Sequence, residues 1–475
     1  MLIAGYQVQE QLYESENSLI YRGRREAEEQ SVILKMLKQP YPPPEKIAWF
    51  RREYELTRSL DLEKVIKVYN LTTDQHRPVI VLEDFGGESL ELHLKNRRRL
   101  FAPAEFLPLA IQIAEILSQV HQQHVMHKDV NPSNVVWNPR TGQVKLIDFG
   151  ISTLLSRENP IVRNPTVGEG TLAYLSPEQT GRMNRTMDYR TDLYSLGVSF
   201  YELLTGQLPF PTVDALELMH DHVAKQPPAL HELIPDIPQP LAAVVMNLLA
   251  KNAEDRYQSA YGLKADLEEC LRQWQTSGQI DPFPLRRHDV ADHFFIPQKL
   301  YGREAEIDTL FTAFERVSQG TGEMMLVSGY AGIGKSALVR EVYKPITRRR
   351  GYFIAGKFEQ LHKNTPYASL TQAFRSLIRQ LLTESEAQIN SWREKLLAAL
   401  GPNGQVIVDI VPEVALIVGP QPPVPTLPPA EAQNRLSLVF QNFIRVFTRA
   451  EHPLVLFLDD LQWADAASLN LVRLL

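Results

Sequence analysis

Residues 127–134 read "HKDVNPSN". Asp129 stands two residues before Asn131, a second asparagine follows at Asn134, and another acid, Asp148, lies in the run "LIDFG" (146–150). Groups of this kind suit phosphoryl transfer, which needs positioning, metal ions and charge neutralisation but little covalent chemistry from the protein. Asp129 can accept a hydrogen bond from a substrate hydroxyl, and Asn134 and Asp148 can hold Mg2+. Upstream, Lys35 in "VILKML" can neutralise the α- and β-phosphates of ATP. Glu53, on the helical stretch "FRREYELTRSL", can orient that lysine through an ion pair.

Composition bounds the rest. A chain of 475 residues, 44% hydrophobic, is long enough for more than one domain with a sizeable core. A formal net charge of −6 argues against a broad nucleic-acid footprint. The only cysteine, Cys270, allows no intrachain disulfide and agrees with a reducing, cytoplasmic setting. The start, "MLIAGYQVQEQ", lacks a basic region followed by a long apolar run, so no signal peptide is expected. No stretch approaches about 18 uninterrupted apolar residues, so no spanning helix is expected.

The first part of the chain is strand-rich. "YQVQEQLY" and "LIYRGR" flank the polar turn "ESENS"; "SVILKML", "VIKVYNL" and "PVIVLEDF" also read as strands, and the helical spacing of "EKIAWFRREYELTRSL" interrupts them. From "PAEFLPLAIQ" onward helices dominate, and "TDLYSLGVSFYELLTG" predicts a helix capped by Gly206. Periodicity lapses over 273–298, which reads as a linker. Beyond it, "EMMLVSG", "YFIAGKF" and "PLVLFLDD" read as strands between helices, the pattern of a parallel sheet. The proline-rich stretch 419–433 reads as a surface loop.

Over residues 6 to about 272 these motifs, in this order, resemble a bacterial Hanks-type Ser/Thr protein kinase. "GTLAYLSPE" (170–178) resembles the end of an activation segment, in which Thr171 fits the Ser/Thr pattern. The resemblance makes Asp129, Lys35, Glu53 and Asn131 the catalytic set, and Asn134 and Asp148 the metal ligands. Asp192 becomes the anchor of the catalytic loop, and Arg256 the partner of Glu178. Glu83, closing "PVIVLE", joins the nucleotide contacts.

Three departures stand out. Tyr13, Ser15 and Ser18 fall where glycines normally let a loop approach phosphate, which leaves Ser15 and Ser18 to hydrogen-bond it. Lys128 replaces an arginine. Asn131 replaces a lysine that touches the transferred phosphate, yet it can donate to a phosphate or to Asp129. The reading is an active, atypical kinase acting on protein Ser/Thr. The alternative is a pseudokinase scaffold that binds nucleotide and partners without transfer. His121, His124 and His127 recur at a three-residue spacing, but the family makes His127 a loop anchor rather than a metal ligand. Ser152, Thr153, Ser156 and Thr166 are candidate phosphosites of the activation segment.

"GYAGIGKS" (329–336) satisfies the P-loop pattern, with a strand expected before it and a helix after it. Gly329, Gly332 and Gly334 can bring backbone N–H groups to phosphate, Lys335 can reach the β/γ-phosphates and Ser336 can ligate Mg2+. Asp459 suits a Walker-B metal ligand, and Asp460 can polarise water. With "LYGREAEIDTL" and "DDLQWAD", residues 299–475 resemble the AAA-like STAND ATPases.

The expected architecture is therefore multidomain. A bilobal α+β kinase fold occupies 1–272, a linker 273–298, and an α/β P-loop domain 299–475, read as C-terminally incomplete and so weak in turnover. The whole order resembles the N-terminal part of hybrid signalling kinases, in which sensor and histidine-kinase modules follow.

Overall fold

A computed structural model of the chain describes residues 2–15, 17–25, 30–97, 99–154, 172–180, 187–212, 214–290, 302–330, 332–342, 346, 351–359, 366–382, 386–448 and 452–473. It divides into two compact units. The first is formed by residues 1–181, 185–213 and 225–297, and the second by the remainder.

The first unit opens with an antiparallel sheet in the order β1-β2-β3-β4-β6-β5: β1 (Leu2–Ile3), β2 (Tyr6–Glu14), β3 (Ser18–Arg25), β4 (Ser31–Leu37), β5 (Val68–Asp74) and β6 (Arg77–Glu83). β4 and β6 are central and apolar on both faces, as sheet strands covered on both sides must be. Val32, Leu34, Met36, Val79 and Val81 cluster with Ile3 and Tyr21 on one face, and Leu37 and Ile80 with Phe50 on the other. Phe50 belongs to α1 (Pro44–Ser59), which starts with proline in its first turn, where a missing N–H costs nothing. A strand alternates its faces, so Lys35 shares the α1 side with Leu37. Glu53 lies one helical turn after Phe50 on the face that packs down. Lysine and glutamate are thereby aimed at each other before any ion pair is considered.

Next come β7 (Glu88–Ser89), α2 (Leu90–Asn96), α3 (Pro103–Gln122), β8 (Val125–Met126), β9 (Val135–Asn138), β10 (Gln143–Leu146) and β11 (Thr153–Leu154). The helices α4 (Arg190–Thr205), α6 (Leu230–Leu233), α7 (Gln239–Leu248) and α8 (Ala260–Ser277) follow, while α5 (Ala215–Ala224), between α4 and α6 in sequence, is grouped with the second unit. α3, α4, α7 and α8 enclose the largest apolar core. α4 ends at Gly206, whose φ of +73° forms the expected left-handed cap. The β9–β10 hairpin pairs Val135 with Leu146, and Ile147 donates its N–H to the Asn134 carbonyl at 2.9 Å. That register brings Asn134 and Asp148 together at the open end of the hairpin.

The second unit contains α9 (Glu304–Ser318), α10 (Lys335–Arg340), and the parallel pair β12 (Tyr352–Lys357) and β13 (Leu454–Asp459). Helices Ala368–Leu381 and Pro429–Phe447 pack Phe374, Phe440 and Phe443 into an aromatic core beside Ile354.

Three expectations need correction. Residues 323–329 have a strand's composition but join no ladder among the described residues; Met324 is 79% exposed and Leu326 79%. Apolar composition cannot supply a hydrogen-bonding neighbour, and that neighbour is what makes a strand. The proline-rich loop stops at Pro428, because Pro429 opens a helix. The segment expected as linker begins as helix: α8 runs through Ser277, Gly278 caps it at φ +71°, and side-chain bonds tie the chain down as far as Asp289. Residues 291–298 of that linker, and Ser156, Thr166 and Thr171, lie outside the described residues.

Candidate active site

Lys35, Glu53, Asp129, Asn131, Asn134 and Asp148 come from four separate stretches of sequence, and two hydrogen-bonded groups hold them. In one group Lys35 Nζ lies 2.6 Å from Glu53 Oε1 and 3.0 Å from Asp148 Oδ2. Burial works against the charge on Lys35, but Asp148 and Glu53 outweigh it and hold the ammonium above the usual lysine range. Burial pushes Glu53 up to about 7, against the pull of Lys35. Asp148 adopts φ +63°, and its other oxygen accepts the Gly150 N–H at 3.2 Å. Burial favours its neutral form, yet Lys35 holds it below the usual carboxylate range.

The second group is centred on Asp129. Asn131 Nδ2 donates to Asp129 Oδ1 at 2.8 Å, and Asn134 Nδ2 donates to Asp129 Oδ2 at 2.9 Å. Both carboxylate oxygens are thus oriented by amides. Asn131 is 2% exposed, and its Oδ1 accepts the Ser133 N–H at 2.9 Å and the Ser133 hydroxyl at 2.5 Å. Of the two partners open to Asn131 in the sequence, Asp129 is the one its amide meets here. Asn134 uses its nitrogen on Asp129, which leaves its carbonyl oxygen for a metal. Together with the Asp148 carboxylate this is the hard oxygen donor set that Mg2+ prefers.

The loop carrying Asp129 hangs on Asp192. Its Oδ2 accepts from His121 Nε2 and the His127 N–H, both at 2.9 Å, and its Oδ1 from the Lys128 N–H at 2.7 Å. Burial would raise Asp192, but these donors, His121 first, keep it below the carboxylate range. His127 Nε2 faces the Ile147 carbonyl at 3.0 Å, and its ring stands edge-on to Phe149. Ser152 is buried and donates to the His127 carbonyl at 2.9 Å, a backbone-anchoring role rather than an exposed acceptor.

Three of the residues predicted to contact nucleotide have other partners. Ser15 Oγ accepts the Ser18 N–H at 2.9 Å and lies 3.1 Å from Ser18 Oγ, so both hydroxyls brace the turn between β2 and β3. Glu83 Oε1 accepts from Lys145 Nζ at 2.5 Å and the Lys67 N–H at 2.7 Å, which directs the carboxylate to β10.

In the second unit Gly332 and Gly334 have φ of +78° and +95°, conformations that glycine adopts without a Cβ penalty. Gly334 leads directly into α10. Lys335 Nζ lies across the loop on the carbonyls of Gly329 at 2.9 Å and Tyr330 at 3.1 Å. Ser336 Oγ donates to Asp459 Oδ2 at 2.7 Å, so the two candidate Mg2+ ligands meet across 123 residues of sequence. Asp460, at φ +56°, bonds Gln462 Nε2 at 2.9 Å and faces Lys357 at 3.5 Å. The glycine conformations and the Ser336–Asp459 pair fit a Mg-nucleotide.

Residues 6–267 match the protein kinase domain, and residues 299–475 the AAA ATPase domain. The chain belongs to the protein kinase family. Among curated proteins, it is 34% identical over 457 residues to hybrid signal transduction histidine kinase G of Dictyostelium discoideum, a match covering 78% of this chain and 13% of that protein. It is 30% identical over 244 residues to the serine/threonine-protein kinase PrkC of Bacillus subtilis, covering 51% of this chain and 37% of that one. The chain therefore spans only a minor part of these relatives' lengths. Among solved structures, the Mycobacterium tuberculosis PknI kinase domain is 25% identical with a TM-score of 0.44, covering 57% of this chain and 97% of that chain.

The kinase domain contains contacts that its motifs did not announce. Gln179 Nε2 donates to the Lys128 carbonyl at 2.8 Å while its Oε1 accepts the Ser176 N–H at 2.9 Å, tying the segment after the activation loop to the catalytic loop. The only signal for it was the glutamine after "SPE". The Lys145–Glu83 pair had no signal, because it depends on how β10 passes β6. The expected Glu178–Arg256 pair is present as a two-pronged fork of 2.7 and 2.9 Å.

Proposed function

We propose that the kinase domain transfers the γ-phosphoryl group of ATP to Ser or Thr hydroxyls of a protein, and that the AAA domain is an attached nucleotide-binding regulator. The observation that carries this reading is the double amide clamp on Asp129, standing in the same domain as the closed Lys35–Glu53–Asp148 cluster. A carboxylate fixed by Asn131 and Asn134 is oriented to accept the substrate hydroxyl's hydrogen bond as its oxygen attacks phosphorus and ADP leaves. Lys35, kept in line by Glu53, supplies positive charge toward the nucleotide phosphates. Asn134 and Asp148 would hold Mg2+, which neutralises phosphate charge when bound. Lys335, Ser336 and Asp459 form the corresponding phosphate and metal groups of the second domain. Likeness to a hybrid histidine kinase supports a signalling role alongside sensor and histidine-kinase modules, and a cytoplasmic setting belongs to the same reading.

The self-bonded Ser15–Ser18 turn favours a second reading, a nucleotide-binding scaffold without transfer, because its hydroxyls are engaged internally rather than offered to phosphate. One assay separates the two. The whole chain is incubated with labelled ATP, Mg2+ and a generic protein substrate, beside Asp148→Ala and Asp129→Ala. Label on Ser or Thr that both substitutions abolish supports the kinase. Incorporation by the wild type no higher than the Asp148→Ala background supports the scaffold.

A further inference from the structure

The chain that leaves α8 turns back onto the kinase domain. Ile280 is buried, and Phe283 and Leu285 pack against the large core. Arg286 donates its backbone N–H to Asp266 Oδ2 at 2.7 Å, the same oxygen that receives the Tyr257 hydroxyl at 2.6 Å. Asp289 completes the attachment. Its carboxylate accepts the N–H groups of Gln258 at 2.7 Å and Ser259 at 2.9 Å, the Ser259 hydroxyl at 3.0 Å and Arg286 Nε at 3.2 Å. The side chain is 1% exposed. These donors precede the first turn of α8, so the carboxylate also meets the positive end of an 18-residue helix. A Cβ on Gly262 would lie 2.4 Å from Asp289 Oδ1 and 2.6 Å from its Cα, so the approach demands glycine there.

The segment 256–259, to which Gln258 and Ser259 belong, is also held from the other side. Arg256 is 0% exposed and bonds not only Glu178 but also the carbonyls of Ala250 at 2.7 Å, Arg190 at 3.0 Å and Lys251 at 3.0 Å. Arg190 in turn donates to Gln258 Oε1 at 2.8 Å. Glu178 belongs to the segment 176–180 that Gln179 ties to Lys128, next to Asp129. A continuous run of bonds therefore leads from Asp289 through 256–259 and Glu178 to the edge of the catalytic loop, where a protein substrate must lie.

Resting on the kinase reading, we propose that Asp289 is a positioning residue for protein substrate. It fixes residues 256–259, these fix segment 176–180, and the connector toward the AAA domain is a working part of the substrate site rather than a passive tether.

The test uses the whole chain with Asp289→Ala, Asp289→Asn and, as a stability control, Gly278→Ala, which strains the far end of α8 without touching these bonds. Asp289→Ala raises KM for a generic Ser/Thr peptide roughly tenfold, the scale of one lost buried charge-assisted bond. KM for ATP stays within about twofold, because those contacts are untouched. Amide hydrogen exchange at 176–180 speeds up. Asp289→Asn, which keeps a carbonyl acceptor, recovers part of both effects and carries the comparison should the alanine variant not fold. Gly278→Ala lowers Tm but moves neither readout. Unchanged peptide KM with unchanged exchange at 176–180, or the same changes in Gly278→Ala, overturns the proposal. If the wild type transfers no phosphate, the kinase reading fails by itself. The exchange comparison then still decides whether Asp289 orders the segment.

Discussion

Replacing Asn131 by alanine removes the donor at 2.8 Å from Asp129 Oδ1 and the acceptor that receives both the N–H and the hydroxyl of Ser133. Asp129 keeps Asn134 on its other oxygen, so the carboxylate stays in the loop but can rotate. A hydrogen bond to a charged group is worth about 1.5–3 kcal/mol. If that orientation is needed in the transition state, kcat falls about 10- to 150-fold. KM for ATP stays near the wild-type value, because the Lys35 cluster does not include Asn131. Asn131→Asp loses more, since two carboxylates at that separation cannot both remain ionised. Asn131→Lys can return a donor to Asp129 but leaves the Ser133 N–H without its acceptor in a site 2% exposed, so it brings no large gain. The assay is the initial rate of labelled phosphate transfer to peptide, with Tm measured beside it. A rate within about twofold of wild type for Asn131→Ala at unchanged Tm would refute the clamp argument. So would a gain of about a hundredfold for Asn131→Lys, which would mark the wild-type site as lacking a needed charge.

Glu53 is pushed up to about 7 by burial, so its charge, and with it one of the two carboxylate holds on Lys35, is lost as pH falls through that value. The pH profile of kcat/KM for ATP should show an acid limb near 7 that is absent in a slower Glu53→Gln enzyme; an unchanged limb in that variant assigns it elsewhere. Glu178 titrates lower than a free carboxylate: burial opposes its charge but Arg256 prevails. Its contribution to stability is complete above the free value of 4.5 and is lost as pH falls through the lowered native value. Glu178→Gln strands the buried guanidinium, costing about 3–5 kcal/mol at neutral pH. The urea midpoint against pH should therefore drop at neutrality and flatten below 4.5, and parallel curves for the two proteins would count against the pair. In the second domain, Lys335→Ala should remove one class of fluorescent-nucleotide site from the whole chain and leave the other, and an unaltered titration would exclude the P-loop as a binder.

The chemistry was legible in the chain itself because it depends on residue type and order. Lys35, Glu53, Asp129, Asn134 and Asp148 announce phosphoryl transfer, and period two in β4 with one helical turn in α1 already aims Lys35 at Glu53. "GYAGIGKS" likewise needs its glycines for backbone reasons local to the loop, and Gly332 and Gly334 have the φ that only those reasons explain. What side chains do with leftover hydrogen-bonding capacity was not legible. Asn131 had phosphate and Asp129 open to it, and only the fold of the loop on Asp192 brings its amide to the carboxylate. Ser15 and Ser18 satisfy each other because a tight turn sets them face to face. Glu83 turns to Lys145 because β10 passes there. Residues 323–329 have a strand's composition without a ladder, since a ladder belongs to two segments and composition to one. Asp289 reads as one more acid in a polar linker. It acquires meaning from Gln258, Ser259 and Gly262, which approach it only when the chain folds back onto α8. Local periodicity and covalent chemistry are written in consecutive residues, whereas the choice of partner is made by segments tens of residues apart, and that choice is the work of tertiary structure.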